Sequence, residues 1–184
     1  MHPLSPLPDP LTTPLNLESP EWQLNRELTW LAFNRRVLHE AQDSRVPLLE
    51  RVFFLAVVGS NLDEFFMKRF GGLKQQVGAG VKERSVDGRL PQEQIDACHL
   101  VVQDLLQEQE ELELELKRFL ARRKIRIVPY ADLNLAEKSL AERYFLDQVY
   151  PLLTPQGMDP AHPFTYISNL SINLLVGVSY PDSG

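Results

Sequence analysis

Apolar residues recur at three- and four-residue steps through "LNRELTWLAFNRRVLHEAQ", residues 24 to 42. Trp30, Phe33, Val37 and Ala41 make one row, with Leu24, Leu28, Leu31 and Leu38 beside it. The spacing predicts a helix, and the wide apolar arc predicts burial on more than one side. Pro47 opens "PLLERVFFLAVVGS", where proline suits a first helical turn and the residues after Arg51 are apolar all round, which predicts a helix central in a bundle. A break is expected at Gly59-Ser60. Beyond it Leu62, Phe65, Phe66 and Leu73 resume a helical stripe that fades towards Gly78 and Gly80. "RSVDGRLP" reads as a loop.

From Pro91 to about Arg123 there is no glycine or further proline, and Leu, Glu and Gln dominate, so one long helix is predicted. "ELELEL" at 111 to 116 alternates like a strand, but length and propensity decide for helix. The pattern then changes. "KIRIVPY" at 124 to 130 alternates, "LAEKSLAERYFLDQVYPLL" is helical, and "YISNLSINLLVGVSYP" reads as one long strand. The fold class expected is mainly α: an antiparallel helical domain over 22–124, followed by the beginning of an incomplete α/β (α+β) domain over 125–184. Two strands alone are marginal, so the chain reads as a fragment. Residues 1–21, with a proline every few positions and no basic or apolar leader, read as a disordered tail.

Composition changes this picture little. In 184 residues, 43% hydrophobic and 24% charged content is ordinary for a globular protein. The net charge of −6 argues against a nucleic-acid coat, so any polyanion site must be local. A lone cysteine, Cys98, excludes an internal disulfide framework and a multi-cysteine zinc site. No stretch approaches the ~20 apolar residues of a membrane span. The chain is expected to be soluble and cytoplasmic, or at most peripheral to a membrane.

Motifs of self-contained enzymes are missing: no GxxxxGKS/T loop, GxGxxG, HExxH or GxSxG occurs. None of His2, His39, His99 and His162 is paired with a spaced carboxylate, and His162 reads as part of a turn between Pro160 and Pro163. "KRFLARRKIRI" is strongly basic. Its functional reading is polyanion contact by Arg122, Arg123 and Arg126. The plainer reading, which is preferred, is that bases late in a helix complement its macrodipole. In "GSNLDEFFMKRF", Asn61 has two readings. As a helix cap it would accept a backbone N–H, with Glu64 as its partner, and Asn61→Asp would leave stability unaltered. As a ligand contact it offers both a donor and an acceptor. Ser60 capping against Asp63 would leave Asn61 to the ligand.

The run "NRELTWLAFNRRVLHEAQDSRVPLLERVFFLAVVGSNLDEFFMKRFGGL" closely resembles the amino-terminal helical domain of the bacterial polyphosphate kinase 1 family, and "VYPLLTPQGMDPAHPFTYISNLSINLLV" resembles the start of that family's head domain. The resemblance implies an enzyme that reversibly moves the terminal phosphoryl group of ATP onto inorganic polyphosphate, with Mg2+, through a phosphohistidine. It places the histidines and the metal site in carboxy-terminal domains outside this chain, so the chain alone is expected to be inactive. By carry-over, Asn61 is the ATP contact. The partners implied are ATP or ADP, polyphosphate and a second copy of the complete enzyme, with no nucleic acid. The proline-rich extension and "TPQGMDP" depart from the family pattern. The competing reading is a standalone helical interaction or dimerisation module derived from the same family.

Overall fold

A computed structural model of the chain describes residues 7–159, 161, 164 and 166–179. Helices supply its regular structure: α1 (Arg26–Gln42), α2 (Leu48–Glu64), a π-helical turn (Phe65–Phe70), α3 (Gly71–Gly78), α4 (Pro91–Arg122) and α5 (Leu135–Tyr144). The chain divides into two compact units, the first ending at Ile127 and the second beginning at Val128. Among the described residues, no helix is long and apolar enough to cross a membrane.

Paired side chains give the course of the helices in the first unit. Arg51 meets the Ala41 carbonyl, Asn34 meets Val58 and Asn61, and Arg69 meets Glu27, so α1 runs antiparallel to α2 and the π turn. Gln94 lies by Asn25 and Glu108 by Arg35, whereas His99 lies by Phe70 and Glu115 by Arg51. Helix α4 therefore follows α1 and opposes α2. Leu28, Leu31, Leu38, Val58, Phe65, Cys98 and Leu105 are wholly enclosed between them. Burial pushes the Cys98 thiol up to about 12, the response of a group with no solvent for its charged form.

Helix starts follow from local chemistry. Asn25 caps α1, its side-chain oxygen accepting from the Glu27 and Leu28 amides. Its amide nitrogen donates to Asp87 at 3.0 Å and to Gln94 at 3.1 Å, tying the loop before α4 to the foot of α1. Pro91 opens α4, and Glu93 reaches back to the Leu90 amide at 2.7 Å. Helix α4 ends in a Schellman arrangement: the Ile125 amide donates to Leu120, the Lys124 amide donates to Ala121, and Lys124 takes a φ of 65°.

Several sequence expectations are met, including the long helix through "ELELEL" and the helical run expected over 135–153, which continues past α5 into a second π turn and a short 3-10 turn ending at Leu152. Others are corrected. The break at Gly59-Ser60 does not form, because α2 continues through both residues with Val58 and Leu62 buried on either side of them. Helix α2 is not enclosed on all sides: Phe53 is 61% exposed. No strand forms among the described residues, neither over 124–130 nor over 166–179 of the second predicted strand, whose last two residues, 180 and 181, lie outside them. The first overlaps the close of α4 and a 3-10 turn at Tyr130–Asp132. For 166–179, alternation supplies a face, but a strand also needs a neighbour for its N–H and C=O groups. Within the expected tail, the Thr12 and Thr13 amides turn back to Asp9, and a 3-10 turn spans Pro20–Trp22. Residues 1–6, His162 and the prolines flanking it lie outside the described residues.

Two outcomes test this fold. A non-glycine residue at a left-handed position is strained by ~1–2 kcal/mol, partly offset by the chain entropy of glycine. Lys124→Gly should therefore raise stability by roughly 0.5–1 kcal/mol, or about 1–4 °C in Tm by calorimetry. The second concerns Asp87. Burial raises its pKa, but hydrogen bonds from Ser85, Asn25 and Arg89 outweigh burial and hold it below its ordinary 3.8. A depressed carboxylate stabilises the fold above its unfolded pKa, and that contribution is lost as pH falls through the folded value. Asp87→Asn should be less stable than the parent at neutral pH, with the two Tm curves converging below about pH 4.

Candidate functional site

Asn61 lies inside α2, one turn before the π segment, and so caps no helix end. The cap reading is overturned because the helix runs on past it. Its amide is held by a second amide. Asn61 donates to Asn34 Oδ1 at 2.9 Å, and Asn34 donates to the Val58 carbonyl at 3.2 Å. Asn34 is fully buried, and its only arrangement that satisfies both contacts points nitrogen at Val58 and oxygen at Asn61. That in turn fixes which end of the half-buried Asn61 amide faces inward. Its carbonyl oxygen and second N–H have no partner among the described residues. A donor and an acceptor are thus presented side by side from a rigid element.

The π turn shapes what surrounds this amide. Its closing hydrogen bond runs from Gly71 N–H to Phe66 O, one residue longer than an α-helical bond. The added residue lets both Phe65 and Phe70 point inward while Phe66, Met67 and Lys68 stay outside. Trp30 stacks on Phe65 with ring centroids 5.2 Å apart. Arg69 bonds Glu27 at 3.1 Å, its guanidinium 5.8 Å from the Trp30 ring centre. On the outer side Glu64 pairs with Lys68 at 2.6 Å, and the hydrogen bond from Lys68 holds the Glu64 carboxyl below the usual range. Among the described residues no three metal-ligating side chains are grouped as a metal site.

The basic cluster lies elsewhere. Arg122 and Arg123 line a groove of about 440 Å³ with Arg45 and Arg51, where the α1–α2 turn meets the end of α4. Arg126 is not part of it. The groove's nearest lining residue on α2 is Arg51, ten residues before Asn61, or roughly 15 Å along the helix. Sequence reasoning missed Asn34, Arg45 and Arg51. Two of the three had a signal: Asn34 interrupts the buried row Leu31, Leu38, and Arg51 sits one turn before buried Leu55. A polar residue on a core face demands a partner.

Comparison with known proteins agrees with the sequence resemblance. Residues 23–128 match the polyphosphate kinase N-terminal domain, and residues 136–184 match the polyphosphate kinase middle domain. The polyphosphate kinase of Thermosynechococcus vestitus is 46% identical over 172 residues, 93% of this chain and 24% of that protein. The polyphosphate kinase of Synechocystis sp. is 47% identical over 175 residues, 95% of this chain and 24% of that protein. The polyphosphate kinase of Mycolicibacterium gilvum is 45% identical over 177 residues, 94% of this chain and 24% of that protein. The chain spans about a quarter of the length of these curated relatives. No solved structure matches it. With two domains matched in order and nearly half of the aligned residues identical, the chain belongs to the polyphosphate kinase family.

Proposed function

We propose that this chain supplies one wall of the nucleotide site of a polyphosphate kinase, with Asn61 as its ATP contact. On this reading the enzyme passes the terminal phosphoryl group of ATP to a histidine and then to the end of a polyphosphate chain, releasing ADP, and the steps reverse. Mg2+ would neutralise phosphate charge during transfer, held by residues outside this chain. The second unit opens the head domain, whose part is subunit pairing in a homo-oligomer. The enzyme works in the cytoplasm.

The observation that carries the nucleotide role is the Asn34–Asn61 pair. An amide whose inner edge is fixed by a buried partner keeps one acceptor and one donor for a ligand. Adenine presents the complementary pair, an amino group beside a ring nitrogen, and a ribose or phosphate oxygen would accept the same N–H. Asn34 acts only through Asn61 and is a positioning residue.

Two measurements test the reading. The 184-residue chain incubated with labelled ATP and Mg2+ should form no polyphosphate and retain no acid-labile label, because the nucleophile lies elsewhere; such label on the chain would overturn that assignment. In a complete kinase containing this chain, Asn61→Asp should raise KM for ATP roughly five- to a hundredfold, the worth of one lost bond of about 1–3 kcal/mol. Contrary to the cap-based expectation, it should also lower stability by a similar ~1–3 kcal/mol, because a carboxylate oxygen then faces Asn34 Oδ1. Asn34→Leu separates the two effects: it should lower Tm comparably and raise KM less. A wild-type KM in folded Asn61→Asp enzyme, measured well below its Tm, would leave the asparagine a purely structural role.

A further inference from the structure

We propose that the groove between the α1–α2 turn and the end of α4 binds a run of phosphate groups, with Arg45, Arg51, Arg122 and Arg123 as its cationic lining. Four arginines line it on a chain of net charge −6, and no carboxylate is among the lining residues. Its volume of about 440 Å³ falls within the range of ligand clefts, ~300–1,000 Å³.

The four arginines differ in what they can offer. The Arg51 side chain is only 7% exposed and donates to the Ala41 carbonyl at 2.7 Å, the Gln42 carbonyl at 3.4 Å and Glu115 at 3.3 Å. Its Nη1 has no acceptor among the described residues. Arg45 bonds Asp43, and that hydrogen bond holds the Asp43 carboxyl at about 2, so the pair stays ionised. Arg122 and Arg123 have no carboxylate partner among the described residues. The Arg51 and Arg122 guanidinium groups each lie 5.5 Å from the centre of the Phe119 ring, a contact that restricts both.

The carboxylates of the neighbouring segments do not line the groove: Asp43 is engaged with Arg45 and Glu115 with Arg51, while Glu40 in α1 and Glu50 in α2 are exposed and offset part of the arginine charge only through solvent. The amino end of α2, which has no side-chain cap, favours an anion, and the carboxy end of α4 opposes it. These ends offset one another, so the local sign rests on the arginines that line the groove. The macrodipole explanation of Arg122 and Arg123 weakens at this point, because the Leu120 and Ala121 carbonyls already accept backbone N–H groups from residues 123 to 125. Guanidinium forks match successive phosphate oxygens and keep their charge, so the ligand class is a condensed phosphate. That its phosphates belong to inorganic polyphosphate rests on the kinase reading above; that the groove takes phosphates does not.

The test uses the 184-residue chain and end-labelled inorganic polyphosphate, with binding read by fluorescence anisotropy at rising KCl and folding checked by thermal melts. Arg122→Gln with Arg123→Gln should weaken binding by roughly tenfold or more at low salt and flatten its salt dependence. Arg118→Gln with Arg126→Gln removes the same charge outside the groove and should change little. Ser44→Glu, which keeps every arginine and alters an exposed lining residue, should also weaken binding. Equal losses in the two double variants, or full binding by the first, would overturn the groove. Competition by orthophosphate as effective as by tripolyphosphate would mean an adventitious ion only, and would overturn it too. Competition by tripolyphosphate but not ATP supports polyphosphate as the ligand; equal competition by ATP keeps the groove and overturns that choice. Since Asn61 enters none of these variants, failure here leaves the nucleotide reading standing.

Discussion

Buried amides and a buried guanidinium decide how the three core helices meet. Apolar side chains can slide by a turn at modest cost, but a polar group removed from water must find its partner at one position. Asn25 ties the foot of α1 to the start of α4, Asn34 ties its middle to Val58 and Asn61, and Arg51 ties the end of α1 to α2 and α4. The leucine and valine core supplies most of the driving force. The three polar ties set the register in which that core closes.

The first unit also places its two candidate sites at different points along α2. Towards its carboxy end, one amide is oriented by another and bordered by a π turn packed with aromatic rings. At its amino end, arginines from three segments gather around Phe119. Both rest on residues that face inward, Asn34 in one case and Arg51 in the other. Surface side chains alone would have left each loosely defined, because long flexible groups lose entropy when they are fixed.

Helical periodicity made α1, α4 and α5 legible, since their apolar spacing and lack of breakers agree and α4 also has a proline start. It failed at Gly59-Ser60, where packing by Val58 and Leu62 outweighs a weak local preference against helix. It failed again over 166–179, where alternation is a property of one segment and a ladder is a property of two. Asn61 could be named by resemblance, but its orientation could not, because Asn34 lies twenty-seven residues away along the chain. The grouping of Arg45 and Arg51 with Arg122 and Arg123 was hidden for the same reason: it arises only when the α1–α2 turn reaches the end of α4.

The π turn has a consequence in evolutionary terms. From Leu48 to Gly78 the backbone is one helical rod with a single surplus residue absorbed at Phe65–Phe70. Such a turn is how a helix accommodates one extra residue without ending. Because the surplus residue is absorbed locally, deleting one of the outward residues Phe66 to Lys68 would restore an ordinary spiral and leave Phe65, Phe70 and Leu73 on the inner face, since residues four apart share a face. The length of this turn is thus less constrained than the identity of the rings that face inward from it.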